Sequence, residues 1–263
     1  MKNYCIYLLI LVFFSLCLLN NFSGKLYLSN AGDDDREHAC VPILMYHSVL
    51  KSKKGQYTVS PSMLEDDIKY LKEKGYTAVF IRDLINYCIG DADLPKKPIV
   101  LSFDDGHYNN YYYAYPIIEK YNFKANLNVI GCFCDYSTTS GDIDNLTWSE
   151  IKTLHDSGYF EIGNHTFKMH SYKPRFGISK IYGESDEDYK EALSSDIKKL
   201  EDKFESACGF HSEVFAYPFG KYTNESEQIL RQLGFNAFLT CNEGINRSGL
   251  ISTSDFFAKY NIN

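Results

Sequence analysis

Proline is scarce in this sequence, 7 of 263 residues, and no internal repeat or low-complexity tract interrupts it. With 17 glycines, 44% hydrophobic and 23% charged residues, that composition excludes a disordered or fibrous chain and describes a folded one with a sizeable core. A basic excess is also missing. The 27 Lys and Arg are outnumbered by 34 Asp and Glu, giving a net charge of −7. A polyanion such as nucleic acid is therefore not expected as the main partner, because binding one draws on clustered cations to neutralise phosphates.

Charge is wholly absent from Tyr4 to Leu19, an almost entirely apolar run behind Lys2. Its length falls between the apolar region of a signal peptide and a comfortable membrane span of about 20 residues. No A-x-A cleavage pattern follows it, and Leu16 stands where a lipoprotein signal has a small residue before its cysteine, here Cys17. We therefore expect residues 1–24 to be an uncleaved signal anchor, with the remainder outside the cell membrane, or secreted if the segment is cleaved. Residues 25–40, with Gly32 and the acidic run Asp33–Asp35, read as a linker. Residues 41–263 form the expected single domain.

Within that domain short apolar runs alternate with amphipathic stretches. VPILMYHSV precedes a helix over 61–74, TAVFI one over 83–89, and PIVLSF one over 111–121. ANLNVIG is followed by a helix opened by Thr147 and Glu150 in capping-box spacing, FEIGNHT by a long helix over 188–208, and VFAYPFG by one over 225–233; NAFLTC closes the series. Seven β/α units imply a parallel α/β sheet, and closure into a barrel is the simplest architecture at this length.

Active sites of such barrels lie at the carboxyl ends of the strands. There the sequence places His47, then Asp104-Asp105-Gly106, then His165 with His170 in the next loop, then Pro218-Phe219-Gly220. Two adjacent carboxylates and two histidines can form a two-His, one-carboxylate metal site with a carboxylate left over as a base, a combination suited to hydrolysis. Histidines five apart on a helix point about 140° apart and cannot share an ion, whereas a strand end running into a loop can bring them together. Singly, each has a plain structural reading: Asp105-Gly106 as a turn, and the histidines as satisfied polar residues.

Six cysteines follow the apolar segment: Cys40, Cys88, Cys132, Cys134, Cys208 and Cys241. Disulfides are permitted, and sequence does not choose among 15 pairings. Cys132 and Cys134 lack a second pair and read as small residues at a strand end rather than as a metal site. Tyr111, Tyr112, Tyr113 and Tyr115 read as helix-to-sheet packing more readily than as a sugar-stacking platform.

At SFDDG (102–106) and NHTFKMH (164–170), supported by PILMYHS, LTWSEIKTLHDSGYFEIGNHT and FAYPFGKY, the chain resembles the polysaccharide deacetylase superfamily, or NodB-homology domain, from about Val41 onward. The resemblance implies a distorted (β/α)7 barrel and hydrolysis of N-acetyl, sometimes O-acetyl, groups on a polysaccharide. It makes Asp104 the catalytic base, and gives Asp105, His165 and His170 a divalent metal, expected to be Zn²⁺. The backbone N–H of Phe219 falls where the family's oxyanion donor sits.

Three departures shape the expectation. The histidines stand five apart rather than the commoner four, which resembles the branch acting on poly-β-1,6-N-acetylglucosamine. The arginine of the usual R-P-P-Y-G motif is absent from Ala216-Tyr217-Pro218-Phe219-Gly220. The late leucine-x-histidine motif that carries the general acid is missing, so the resemblance nominates His47 for that role, with His107 in reserve. An N-acetylated polysaccharide of the poly-N-acetylglucosamine type is the expected partner. Peptidoglycan, a chitin oligomer or an O-acetylated polymer are alternatives, as is an inactive carbohydrate-binding homologue.

Overall fold

The computed structural model describes residues 40–52, 55–141, 144–242 and 246–247. The apolar segment and the expected linker up to residue 39 lie outside them, and among the described residues no helix is long and apolar enough to cross a membrane. In chain order the strands are β1 (Cys40–Val41), β2 (Ile43–Tyr46), β3 (Ser48–Val49), β4 (Thr58–Val59), β5 (Thr77–Ala78), β6 (Pro98–Phe103), β7 (Ala125–Val129), β8 (Phe160–Asn164), β9 (Val214–Ala216), β10 (Ala237–Leu239) and β11 (Asn246–Arg247). The helices are α1 (Pro61–Glu73), α2 (Ile81–Cys88), α3 (Tyr115–Tyr121), α4 (Gly131–Ser140), α5 (Trp148–Asp156), α6 (Asp186–Lys203) and α7 (Asn224–Gln232).

Seven strands make one sheet in the order β10-β9-β8-β7-β6-β2, with β5 also on β6, and every pair is parallel. Strand number and direction thus match the sequence reading, and the closure is looser. Edge strands β2 and β10 do not pair with each other among the described residues, so the sheet curls into an open half-barrel. The short antiparallel ribbon of β1 and β11, adjoining those two edges in the chain, links them instead.

Alternation along the strands divides the core. On the outer face Leu44, Leu101, Phe103, Leu127 and Phe160 meet Leu64, Ile68 and Leu71 of α1, Ile118 of α3, and Ile151 and Leu154 of α5. Phe215 and Phe238 meet Leu193 and Ile197 of α6 and Ile229 and Leu230 of α7. The inner face is filled by Ile43, Val100, Val214, Ala216, Ala237 and Leu239, closed at one end by Ile81 and Leu84 of α2. The N-cap residue of α2, Phe80, has no capping side chain, and Asp83 in the first turn accepts only from Phe80 N, at 2.9 Å, leaving the next two N–H groups without a cap from the helix itself. Buried Glu161 of β8 supplies one, accepting from Ile81 N at 2.7 Å and Arg82 N at 3.3 Å.

Local signals account for most helix boundaries. Ser60 caps α1, with Pro61 in its first position, and Thr147 and Glu150 form the expected reciprocal capping box of α5. Helix α4 was not anticipated. Cys132 and Cys134 stand in it, not at a strand end, and Cys134 is fully buried, which pushes its thiol well above the ordinary range. Cys88, Cys132, Cys134 and Cys208 are free thiols. Tyr111, Tyr113 and Tyr115 pack against the outer core as expected, and Tyr112 is exposed.

Candidate functional site

Four strand ends bring the predicted residues together. Asp104 and Asp105 follow β6, His165 follows β8, and the turn Pro218–Gly220 follows β9. His47 follows β2, and it is held there from an unexpected direction. In the π-turn over Asn110–Ala114, Asn110 Nδ2 donates to the His47 carbonyl at 2.8 Å, while neighbouring Asn109 accepts from Val49 N and donates to Ser48 Oγ. Such local departures from α geometry often mark functional segments.

Backbone strain gathers at the same place. Four non-glycine residues have positive φ among those described: Asn122, which ends α3, and Asp105, Thr166 and Phe219, all beside the candidate site. For Thr and Phe the left-handed region costs of order 1–3 kcal/mol, so the surroundings must hold them. They do. After β8, Asp196 of α6 accepts from Phe167 N at 2.8 Å and Lys168 N at 2.9 Å, and Asn164 Nδ2 donates to Glu201 Oε1 at 2.8 Å. Phe167 lies against Gly131, where a Cβ would approach its ring to 2.6 Å. This bracing delivers His165 and then His170 to one point.

Asp105 Oδ1 lies 3.7 Å from His165 Nε2 and 3.6 Å from His170 Nε2. It is buried and makes no hydrogen bond. These spacings are too long for hydrogen bonds, and close to the roughly 3.4 Å edge of a tetrahedral site with 2.1 Å bonds. Asp105, His165 and His170 alone among the described residues form a cluster of this kind. His165 Nδ1 is 2.8 Å from the Ala216 carbonyl, which fixes a proton on Nδ1 and leaves Nε2, on the side of Asp105, as the ring's ligand atom. The donor set therefore fits a divalent transition metal.

Electrostatics agrees with that assignment. Burial opposes ionisation of Asp105, yet the adjacent His107, with the imidazoles of His165, His47 and His170, outweighs it and holds the carboxyl below the ordinary range. Burial, followed by neighbouring His165, lowers His170 to about 4, so it is neutral and its lone pair available near pH 7. His107 Nε2 lies 3.6 Å from Asp105 Oδ2.

Asp104 is buried but outside this triad. Its Oδ1 accepts a 2.6 Å hydrogen bond from Asn128 Nδ2, a residue sequence reading had not singled out. His47 Nδ1 is buried without a partner, and its ring lies 5.0 Å from that of Tyr57. Phe219, whose ring is 4.4 Å from that of His170, also stacks with Tyr172 and Phe176 at 4.6 and 4.8 Å. Tyr172 is 70% exposed, so an aromatic rim flanks the cluster on the solvent side.

Residues 91–238, more than half of the chain, match the family model described as polysaccharide deacetylase. The chain is 25% identical over 212 residues to the poly-beta-1,6-N-acetyl-D-glucosamine N-deacetylase of Escherichia coli (strain K12), covering 72% of this chain and 31% of that protein. It is likewise 25% identical over 178 residues to the enzyme of that name from Staphylococcus aureus (strain MRSA252), covering 68% and 59%. It therefore spans about a third and three-fifths of their lengths.

Among solved structures, the de-N-acetylase from Aggregatibacter actinomycetemcomitans superposes with a TM-score of 0.74 at 24% identity, covering 83% of this chain and 95% of that one. IcaB from Ammonifex degensii gives 0.70 at 24%, covering 82% and 90%. These two likenesses establish the fold, including its curled parallel sheet.

Proposed function

Since the chain belongs to the polysaccharide deacetylase family, we propose that it is a metal-dependent hydrolase removing N-acetyl groups from an amino-sugar polymer of the poly-β-1,6-N-acetylglucosamine type. The observation that carries this reading is the pairing of an unpartnered buried Asp105 Oδ1 between two histidine Nε2 atoms with a second carboxylate, Asp104, beside it and outside the triad. The names borne by the relatives support the choice of polymer.

Asp105, His165 and His170 would hold a divalent cation, expected to be Zn²⁺, which when bound would supply Lewis acidity to the amide carbonyl and to water. Asp104 takes the proton from the attacking water. The backbone N–H of Phe219 donates to the oxygen that gains negative charge as the carbonyl carbon becomes tetrahedral. His47 gives a proton to the departing amine, and acetate and a free amino sugar result. The unpartnered Nδ1 of His47 supports this choice, whereas His107 is turned toward Asp105. Exposed Tyr172, stacked on Phe219 at the edge of the cluster, supplies the aromatic surface on which a pyranose would lie.

We place the domain outside the cytoplasmic membrane, tethered by the segment around Tyr4–Leu19 or released from it. The test is acetate release from β-1,6- and β-1,4-linked N-acetylglucosamine oligomers, with and without chelator and added Zn²⁺. Metal-dependent release favouring the β-1,6 oligomer supports the proposal. Release favouring the β-1,4 oligomer moves the substrate to chitin- or peptidoglycan-like polymers, and no release from metal-loaded protein contradicts the deacetylase reading.

A further inference from the structure

The polar residues inside the sheet form a column leading to Asp104, and none of them has a role in the chemistry above. Asn126 and Asn128 of β7 and Ser102 of β6 have no exposed surface. Asn126 Nδ2 donates to Asn128 Oδ1 at 2.7 Å, and Asn128 Nδ2 donates to Ser102 Oγ at 3.1 Å and to Asp104 Oδ1 at 2.6 Å. Both amide hydrogens and the amide oxygen of Asn128 are thereby engaged. Only this orientation suits an ionised Asp104, because the flipped amide would set an oxygen against the carboxylate.

Buried amides in a strand add no apolar packing and depend on their hydrogen bonds to be tolerated; Asn128 is fully bonded, whereas Asn126 Oδ1 has no partner and that residue is held by its bond to Asn128. Gly163, directly across from Asn128 in the ladder, makes the arrangement possible. A Cβ there would lie 2.0 Å from Asn128 Oδ1, so any side chain at 163 would displace the amide. Gly163 is not among the residues with positive φ, which leaves this close approach, rather than a turn, as the reason for glycine inside the strand.

We propose that Asn128, seated against Gly163, is the positioning residue for Asp104: it ties down Oδ1 and aims Oδ2 at the attacking water. This rests on the reading of Asp104 as the base. Asn128 touches neither substrate nor metal ligands, so its effect belongs in turnover rather than in substrate or metal binding.

The experiment compares Asn128→Leu, which keeps the bulk and removes the donor, with Gly163→Ala, which displaces the amide from the neighbouring strand. Each is measured for kcat, KM, zinc affinity and Tm, alone and combined with Asp104→Asn. We expect kcat to fall roughly 10- to 100-fold in both, with KM and zinc affinity within about twofold of the parent and no further fall on the Asp104→Asn background.

Either folded, metal-loaded variant with parental kcat overturns the proposal. So does a folded variant whose loss follows from lost zinc, or a loss that multiplies with that of Asp104→Asn. If Asp104→Asn itself is fully active, the base assignment fails; if it is inactive while Asn128→Leu is not, the positioning role alone fails.

Discussion

The two faces of β7 carry opposite chemistry within five residues. Ala125, Leu127 and Val129 pack outward into the largest apolar cluster, while Asn126 and Asn128 point inward to a bonded column ending at Asp104. One face holds the sheet to its helices; the other sets the geometry of a carboxylate. Stability and function are thus separable residue by residue along one strand, because alternation sends neighbours to different environments.

Breaking the inner side at its end has the largest expected effect. Asp104→Asn should lower kcat/KM by about 10²- to 10⁴-fold while Tm and bound metal stay as in the parent; acetate release and calorimetry check this. On the outer side Leu127→Ala should cost about 2–5 kcal/mol, read by urea denaturation, with kcat near parental in the fraction that remains folded.

Buried Glu161 on β8 and half-buried His170 in the loop after it sharpen the contrast through pH. His170 is lowered to about 4, below its ordinary value, so its contribution to the stability of the metal-free protein is present above about 6.5 and is lost as pH falls through 4. Glu161 is raised to about 7 by burial, which outweighs the attraction of Arg82 and the bonds from the backbone N–H groups of Arg82 and Ile81. Its contribution has the opposite sign, present below about 4.5 and lost as pH rises through 7. In Tm-against-pH profiles, His170→Gln should flatten the acid limb and Glu161→Gln the decline between 4.5 and 7. The smallest effect expected is that of Thr147→Ala, about 1 kcal/mol for the lost α5 cap, with activity unchanged.

What sequence made legible follows the same division. PIVLSF, FEIGN and the Thr147–Glu150 box announce their elements because their signals are local. The acid pair and His165 were visible because they end strands, and His170 because it stands in the loop that follows. Helix α4 was not, since GCFCDYSTTS lacks a strong apolar stripe and is fixed by bonds made elsewhere: Trp148 Nε1 to Asp135 Oδ1, and Trp148 N to Thr138 Oγ1. TAVFI reads as a strand, but only Thr77–Ala78 pair, because Glu161 starts α2 at Ile81 from 80 residues away. Asn128 looked like any polar residue of an alternating strand. The signal present was its alternation with Ala125, Leu127 and Val129, and the glycine inside FEIGN, but only the ladder that puts 128 opposite 163 joins the two.

The central claim is that neighbouring carboxylates have been given different tasks, Asp105 to hold a metal and Asp104 to move a proton. Zinc bound per chain in Asp104→Asn and Asp105→Asn, measured side by side on folded protein, tests it most directly. The account predicts one ion in Asp104→Asn and none in Asp105→Asn; equal loading of the two, or the reverse order, would contradict it.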